Sequence, residues 1–165
     1  MAKEYGVDTF RTYVMFMGPL EAEKAWNYNA VQGVKKFLDR AERMQEFIAK
    51  ESSTGVEIQL HKTIKGITDD IEKLKFNTAV SKMMIFVNYV YDKKTITVAQ
   101  LAVFLQLLAP FATGLAQSMW EKIGQKGNVH ISTWPTYDES LIHEDTLALP
   151  VQINGKMRGT LDAKK

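Results

Sequence analysis

The sequence predicts a mainly α protein, an antiparallel helical bundle that ends in a short C-terminal β-hairpin. Three features carry this expectation. Six stretches between Val7 and Ile123 repeat apolar residues at spacings of three and four, the period that lines up one face of a helix. One of them, residues 98–108, is apolar nearly all round, which places it in the middle of a bundle. After Gly127 the helical period stops, and Leu149, Val151 and Ile153 alternate up to Asn154-Gly155, a pair that tolerates positive φ and signals a hairpin turn.

The elements follow in order. The first helix is expected over Val7–Met17, capped by Asp8, with Phe10, Tyr13, Val14 and Met17 as its apolar face, and stopped by Gly18-Pro19. Asn29 is the candidate cap of a second helix over Ala30–Ala49, whose stripe is Val31, Val34, Phe37, Leu38, Ala41, Met44, Phe47 and Ile48. The loop Ser52-Ser53-Thr54-Gly55 leads to a third helix over Glu57–Lys75, burying Leu60, Ile64, Ile67, Ile71 and Leu74. Asn77 marks a cap or joint before a fourth helix with Val80, Met83, Met84, Val87 and Val90 inward, and Asp92-Lys93-Lys94 is a charged turn. Thr97 caps the all-apolar fifth helix, which ends at Leu108. Pro110 suits the first turn of a sixth, Phe111–Ile123, and Gly124 stands at the C′ position that ends it.

This divides the chain into a helical bundle over 1–126, a strap over 127–146 with Trp134-Pro135 and several acids, and a β-containing segment over 147–165. A lone hairpin is marginal in water, so the expectation is that the chain ends inside a domain.

Composition narrows the function. The 165 residues are 45% hydrophobic and 24% charged, ordinary values for a globular protein. No apolar run reaches the roughly 18 residues of a membrane span, and no signal peptide follows Met1, so no membrane partner is expected. The absence of cysteine excludes disulfides, thiol nucleophiles and thiolate metal sites, and is compatible with the cytoplasmic location expected here. A net charge of +2 is too mild to mark a nucleic-acid binder, so any RNA contact has to come from local patches. There is no Gly-rich phosphate loop and no hydrolase elbow. His61, His130 and His143 are far apart; His143-Glu144-Asp145 is conceivable as a metal site but reads more simply as an exposed acidic loop, and Asp69-Asp70 as a solvated helix face. Neither a catalytic residue nor a metal ligand is assigned.

The candidate binding residues are basic. Lys36, Arg40 and Arg43 share one side of the second helix with Lys35 beside them, where cations on a rigid element can track phosphates. Asp39, Glu42 and Glu46 interleave with them, so a salt-bridged surface is the alternative. The same two readings apply to Lys62 and Lys65 on the third helix. Lys156 and Arg158 fall on one face of a strand, extended by Lys164 and Lys165; there they serve as RNA-backbone contacts or as guards of a sheet edge. Of the three tryptophans, Trp120 belongs in the core, Trp134 pins the strap, and Trp26 is the best placed for an interface.

Several strings resemble the bacterial-type leucyl-tRNA synthetase family. Tyr5-Gly6-Val7-Asp8-Thr9-Phe10-Arg11 and Met15-Phe16-Met17-Gly18-Pro19-Leu20-Glu21 resemble the segment after the family's KMSKS loop. Residues 26–38, Phe76-Asn77-Thr78-Ala79 with Met83-Met84, and Leu108-Ala109-Pro110-Phe111 through Trp120 resemble its anticodon-binding bundle. Trp134-Pro135 and Val151-Gln152-Ile153-Asn154-Gly155-Lys156 resemble the entry to its C-terminal domain. The likeness spans essentially the whole chain and favours leucine over the related valine and isoleucine enzymes. It implies a class Ia anticodon-binding bundle and the start of a C-terminal domain. The implied parent is a monomeric leucine–tRNA ligase that uses ATP and Mg²⁺. Its HIGH and KMSKS motifs and its editing domain are missing from this sequence, so the chain would need no cofactor of its own. Its partners would be tRNA(Leu), held along the stem side with the anticodon read weakly or not at all, and the catalytic domain of the same polypeptide. One departure stands out. Where the family usually reads Pro-His-Ile-Ala-Glu-Glu-Leu-Trp, Gly114, Gln117 and Ser118 replace the histidine and the two glutamates, so no polar contact is carried over there. The other reading is a stand-alone helical interaction module with no RNA role.

Overall fold

The structure is a computed structural model. It describes the backbone of residues 2–19, 23, 25–142, 146–153 and 156–164, and the side chains of residues 4–19, 23 and 25–142. The described residues form a mainly helical fold with seven helices: α1 (Ala2–Tyr5), α2 (Val7–Phe16), α3 (Tyr28–Arg43), α4 (Thr54–Glu72), α5 (Phe76–Lys93), α6 (Val98–Leu108) and α7 (Thr113–Lys122).

Helix α6 is the axis of the core, as its sequence requires. Leu101, Phe104, Leu105, Leu107 and Leu108 are fully buried although they point in different directions around the helix. Its start is fixed by a capping box, in which the Thr97 hydroxyl accepts from the Gln100 N–H and the Gln100 side chain accepts from the Thr97 N–H. Around it, α4 and α5 form an antiparallel pair: Gly55 faces Tyr89 near one end, and Asp70 meets Lys82 near the other. Gly55 leaves the space that the Tyr89 ring occupies. Helix α3 packs along α5, with the Arg40 side chain bonded to Asn88 and its carbonyl accepting from the Tyr91 hydroxyl. The stacked pair Phe86–Phe104 ties α5 to the axis, and Phe76–Phe111 ties it to the turn before α7. Gly124, at φ 80, ends α7 in a Schellman motif, with Gln125 N–H on the Trp120 carbonyl and Gly124 N–H on that of Glu121.

Several expectations need correction. Helix α2 is preceded by Gly6 at φ 88, so Asp8 stands in its first turn and is not its cap. The carboxylate instead caps another helix: it accepts from Leu115 N–H at 2.7 Å and Gly114 N–H at 3.3 Å at the start of α7, and it binds Arg11. Phe10 and Val14 do not face the core; Thr9, Thr12 and Tyr13 do, with the Thr12 hydroxyl donating to the Phe111 carbonyl. Asn27 rather than Asn29 caps α3, accepting from Asn29 N–H and Ala30 N–H. The α-helix ends at Arg43 and continues as a 3₁₀ turn over Met44–Phe47, because Ile48 and Ala49 leave the helix to pair with Ile96. Helix α4 starts earlier and ends earlier than expected, leaving Leu74 exposed at φ 55. Helix α7 begins at Thr113, with Pro110 in the preceding turn.

Residues 125–142 run irregularly over the bundle with two 3₁₀ turns. Beyond them the backbone of Thr146–Ile153 lies antiparallel to that of Lys156–Lys164, with a register shift between Val151 and Gln152. The expected turn, Asn154-Gly155, lies outside the described residues.

Removing a carboxylate that satisfies two helix N–H groups and a guanidinium should destabilise the fold. Asp8→Ala is expected to cost about 1–2 kcal/mol. Urea denaturation checks this, and an unchanged midpoint would show that α7 does not depend on the cap.

Candidate nucleic-acid interface

The cations of α3 differ among themselves in what holds them. Lys35 is turned onto Asp39, one helical turn on, and is neutralised there. Asp39 is therefore engaged with Lys35, and Arg43 donates to the Asp39 backbone carbonyl instead of pairing with its carboxylate. Lys36 is exposed and has no partner among the described residues. Arg40 is fixed by uncharged groups: its Nη1 donates to Asn88 Oδ1 at 2.6 Å and its guanidinium lies 4.2 Å from the centre of the Tyr91 ring. Tyr91 in turn donates its hydroxyl to the Arg40 carbonyl. Arg40 is thus held in place while its charge remains unneutralised.

Other lysines are engaged by carboxylates. Lys82 binds Asp70, Lys122 binds Glu42 at 2.9 Å, and Lys65 binds Glu139 at 3.2 Å while lying near the Tyr137 ring. Lys65, expected as an RNA contact, thus serves as an anchor for residues 125–142. The other anchors of that segment are the Trp134 indole donating to the Thr68 hydroxyl, Asp138 N–H donating to His61 Nδ1, Gln106 donating to the Thr133 carbonyl, and Gln117 accepting from Val129 N–H. Trp120 is core, as its neighbours implied. Trp26 is partly exposed, in ring contact with Phe10, Tyr13 and Tyr28.

The topology brings part of the basic set together. A groove of about 180 Å³ between α3 and α5 is lined by Gly33, Lys36, Phe37, Arg40, Met84, Val87 and Asn88. A second, of about 200 Å³ between α4 and α5, is lined by Gln59, Lys62, Thr63, Lys82 and Ile85. Lys36, Arg40 and Lys62 therefore flank the outer side of α5. The side chains of Lys156 and Arg158, and the acidic run His143-Glu144-Asp145, lie outside the described residues. Among the described residues no three His, Asp or Glu side chains gather to hold a metal ion, and no helix is long and apolar enough to cross a membrane. An apolar cavity of about 320 Å³, walled by Met15, Ile71, Phe76, Phe111 and Trp134, has a carboxylate, Glu72, among its lining residues and nothing reactive. Sequence reasoning missed Asn88 and Tyr91 as the partners of Arg40. Asn88 falls outside the apolar stripe of its helix, whereas Tyr91 continues it four residues after Val87 and packs against the core.

Among the described residues the bundle sets Lys36 and Arg40 along the groove between α3 and α5, and Lys62 and Lys82 along that between α4 and α5. The family described as the anticodon-binding domain of tRNA ligase matches residues 56–165, and the chain belongs to it. Its relatives are leucine–tRNA ligases. That of Bdellovibrio bacteriovorus is 42% identical over 169 aligned positions, covering 98% of this chain and 21% of the relative. That of Alkaliphilus oremlandii is 41% identical over 160 positions, covering 96% and 20%. Among solved structures, the LeuRS of Agrobacterium radiobacter in a ternary complex with tRNA and LeuAMS superposes with a TM-score of 0.79 at 28% identity, covering 99% of this chain and 24% of that one. The chain thus spans about a fifth of the length of the curated relatives it matches.

The anchor at Asp138 is sensitive to acid. The Ser140 hydroxyl, then the Ser140 N–H, hold the Asp138 carboxyl below its ordinary range, with a smaller contribution from His61 and against the effect of burial. A depressed acid contributes its stabilisation above its unfolded pKa and loses it as pH falls through the folded one. The Ser140 amide resonance should therefore titrate with a midpoint below that of an unperturbed aspartate. A midpoint at or above it would contradict the contact.

Proposed function

We propose that the chain is the tRNA-holding helical part of a leucine–tRNA ligase, with the ATP- and Mg²⁺-dependent joining of leucine to tRNA(Leu) carried out elsewhere in a longer polypeptide. The observation that carries this reading is the contrast among the cations. Lys36, Arg40 and Arg43 keep their charge on one face of α3, whereas Lys35, Lys65, Lys82 and Lys122 are paired with carboxylates. A face retained as positive against an interleaved set of acids suits phosphate, and phosphate contacts fix register while other groups do the chemistry. Lys62 belongs to the same surface across α5, and Lys156 and Arg158 extend it on a C-terminal hairpin that begins a further domain. The divisions are 1–126 for the bundle, 127–146 for the strap and 147–165 for the start of that domain. The protein acts as a monomer in the cytoplasm.

The alternative, a protein-interaction module, draws on a different surface. Val7, Phe10 and Val14 line one exposed side of α2, with Phe10 in ring contact with Trp26 and Trp26 with Tyr28, and Arg11 beside them is tied to Asp8. An apolar patch of this kind marks a protein contact. In the proposed parent its occupant is the catalytic domain of the same polypeptide, so the patch and the cationic face serve different partners.

Salt titration of tRNA binding tests the main reading. Affinity should fall steeply with salt, and Lys36→Ala or Arg40→Ala should each lower the slope by about one unit. Salt-insensitive binding, or slopes unchanged in both variants, would overturn it. The chain alone should show no ATP–pyrophosphate exchange. The apolar patch has its own test in Val7→Asp combined with Val14→Asp. This double variant should leave the melting temperature of the 165-residue chain within about 2 °C, because exposed positions tolerate change. In the longer polypeptide it should split one cooperative unfolding transition into two, and a retained single transition would remove the patch from that interface.

A further inference from the structure

Two residues of α5 determine how the charge of Arg40 is displayed. Asn88 and Tyr91 stand three positions apart, so they are neighbours on the helix surface, and both reach α3. Asn88 Oδ1 accepts from Arg40 Nη1 at 2.6 Å, and the guanidinium lies over the Tyr91 ring, 4.2 Å from its centre. The ring is itself held. It meets Phe47 edge to face, packs against the core, and its hydroxyl donates to the Arg40 carbonyl at 3.1 Å. Side chain and backbone of Arg40 are thus tied to the same tyrosine.

A guanidinium carries five N–H donors in a planar fork. In Arg40 one of them is engaged by Asn88 and one face covers the ring, and no carboxylate touches it among the described residues. The edge formed by Nε and Nη2 keeps two parallel N–H groups, the pattern that matches two oxygens of one phosphate. The neutrality of the partner matters. A carboxylate at position 88 would hold the group as well and cancel its charge, as Asp39 does for Lys35. Lys36, one turn earlier on α3 and exposed, has no such support among the described residues and acts as a point charge.

Resting on the tRNA-binding reading above, we propose that Asn88 and Tyr91 are positioning residues that present the unbonded edge of Arg40 to a single RNA phosphate as a two-pronged contact. Fixing the guanidinium beforehand removes the loss of side-chain freedom that a mobile arginine meets on binding. Arg40 then sets the register of the RNA backbone at the α3–α5 groove, while Lys36 adds attraction without register.

The test measures tRNA(Leu) binding by the 165-residue chain over a salt series, in which the slope counts the phosphates neutralised and the affinity at fixed salt reports the quality of the contacts. Asn88→Ala should lower affinity by roughly three- to tenfold and leave the slope unchanged. In the Arg40→Ala background the same substitution should change affinity by less than about twofold. A residue that touched RNA itself, or one whose loss only loosened the bundle, would keep its effect in both backgrounds. Asn88→Asp retains the acceptor but neutralises Arg40, and should lower the slope by about one, as Arg40→Ala does. Arg40→Lys keeps the charge and the slope but loses affinity, because an ammonium has no fork. Tyr91→Leu should show the same dependence on Arg40, and Asn88, being exposed, gives the variant that leaves the fold intact. No effect of Asn88→Ala, an equal effect in the two backgrounds, or full affinity in Arg40→Lys overturns the proposal and leaves the tRNA-binding reading standing. No affinity of the unaltered chain for tRNA removes both.

Discussion

The need to enclose α6 governs this structure. A helix with Leu101, Phe104, Leu105, Leu107 and Leu108 distributed around it has no side to give to water, and burying a side chain of that size is worth roughly 1.5–3 kcal/mol. Neighbouring elements must therefore surround it. Helix α5 does so with Phe86 stacked on Phe104, which commits its inner face and fixes which residues point outward. Helix α3 is then registered against α5 through Arg40, Asn88 and Tyr91. The charged groups proposed for function are thus positioned by contacts that trace back to the core. A close-packed interior transmits that order to the surface and lowers the entropy lost when a rigid ligand is gripped.

The segment over residues 125–142 closes the same core from another side. Gln106, one of the two glutamines of α6, faces this segment and is satisfied by Ser132 and Thr133. Trp134 and Asp138 fasten it to α4 through Thr68 and His61. Its polar anchors account for residues that otherwise look functional: His61 is a hydrogen-bond acceptor for the backbone, Lys65 a counter-charge for Glu139, and Gln117 a clamp for Val129 and Gly127.

How far the sequence could be read depended on whether the deciding contact was local. The Thr97 cap and the Gly124 terminus depend on residues a few positions apart, and both are where the pattern placed them. Asp8 was misread because its partners, Gly114 and Leu115, are more than a hundred positions away, and a cap supplied by another helix leaves no local pattern. Phe10 and Val14 have a core-like period yet face outward, because Thr12 and Tyr13 take the inner side through bonds to Phe111 and Asn27. For the site, the clustering of Lys36, Arg40 and Arg43 was legible from spacing. Which cations keep their charge was not, since Asp39 could pair with Lys35 or Arg43 equally well by spacing and the structure gives it to Lys35. The association of Lys62 with Lys36 and Arg40 depends on α5 lying between their helices, a fact of topology.

The account stands on the α3–α5 surface, and not the α2 surface, being where RNA rests. Hydroxyl-radical footprinting of the chain with and without tRNA reads this directly. The expected result is protection of Met84 and Ile85, with Val7, Phe10 and Val14 as reactive as in the free chain. Protection confined to α2, or none on α3 and α5 at saturating tRNA, would contradict it.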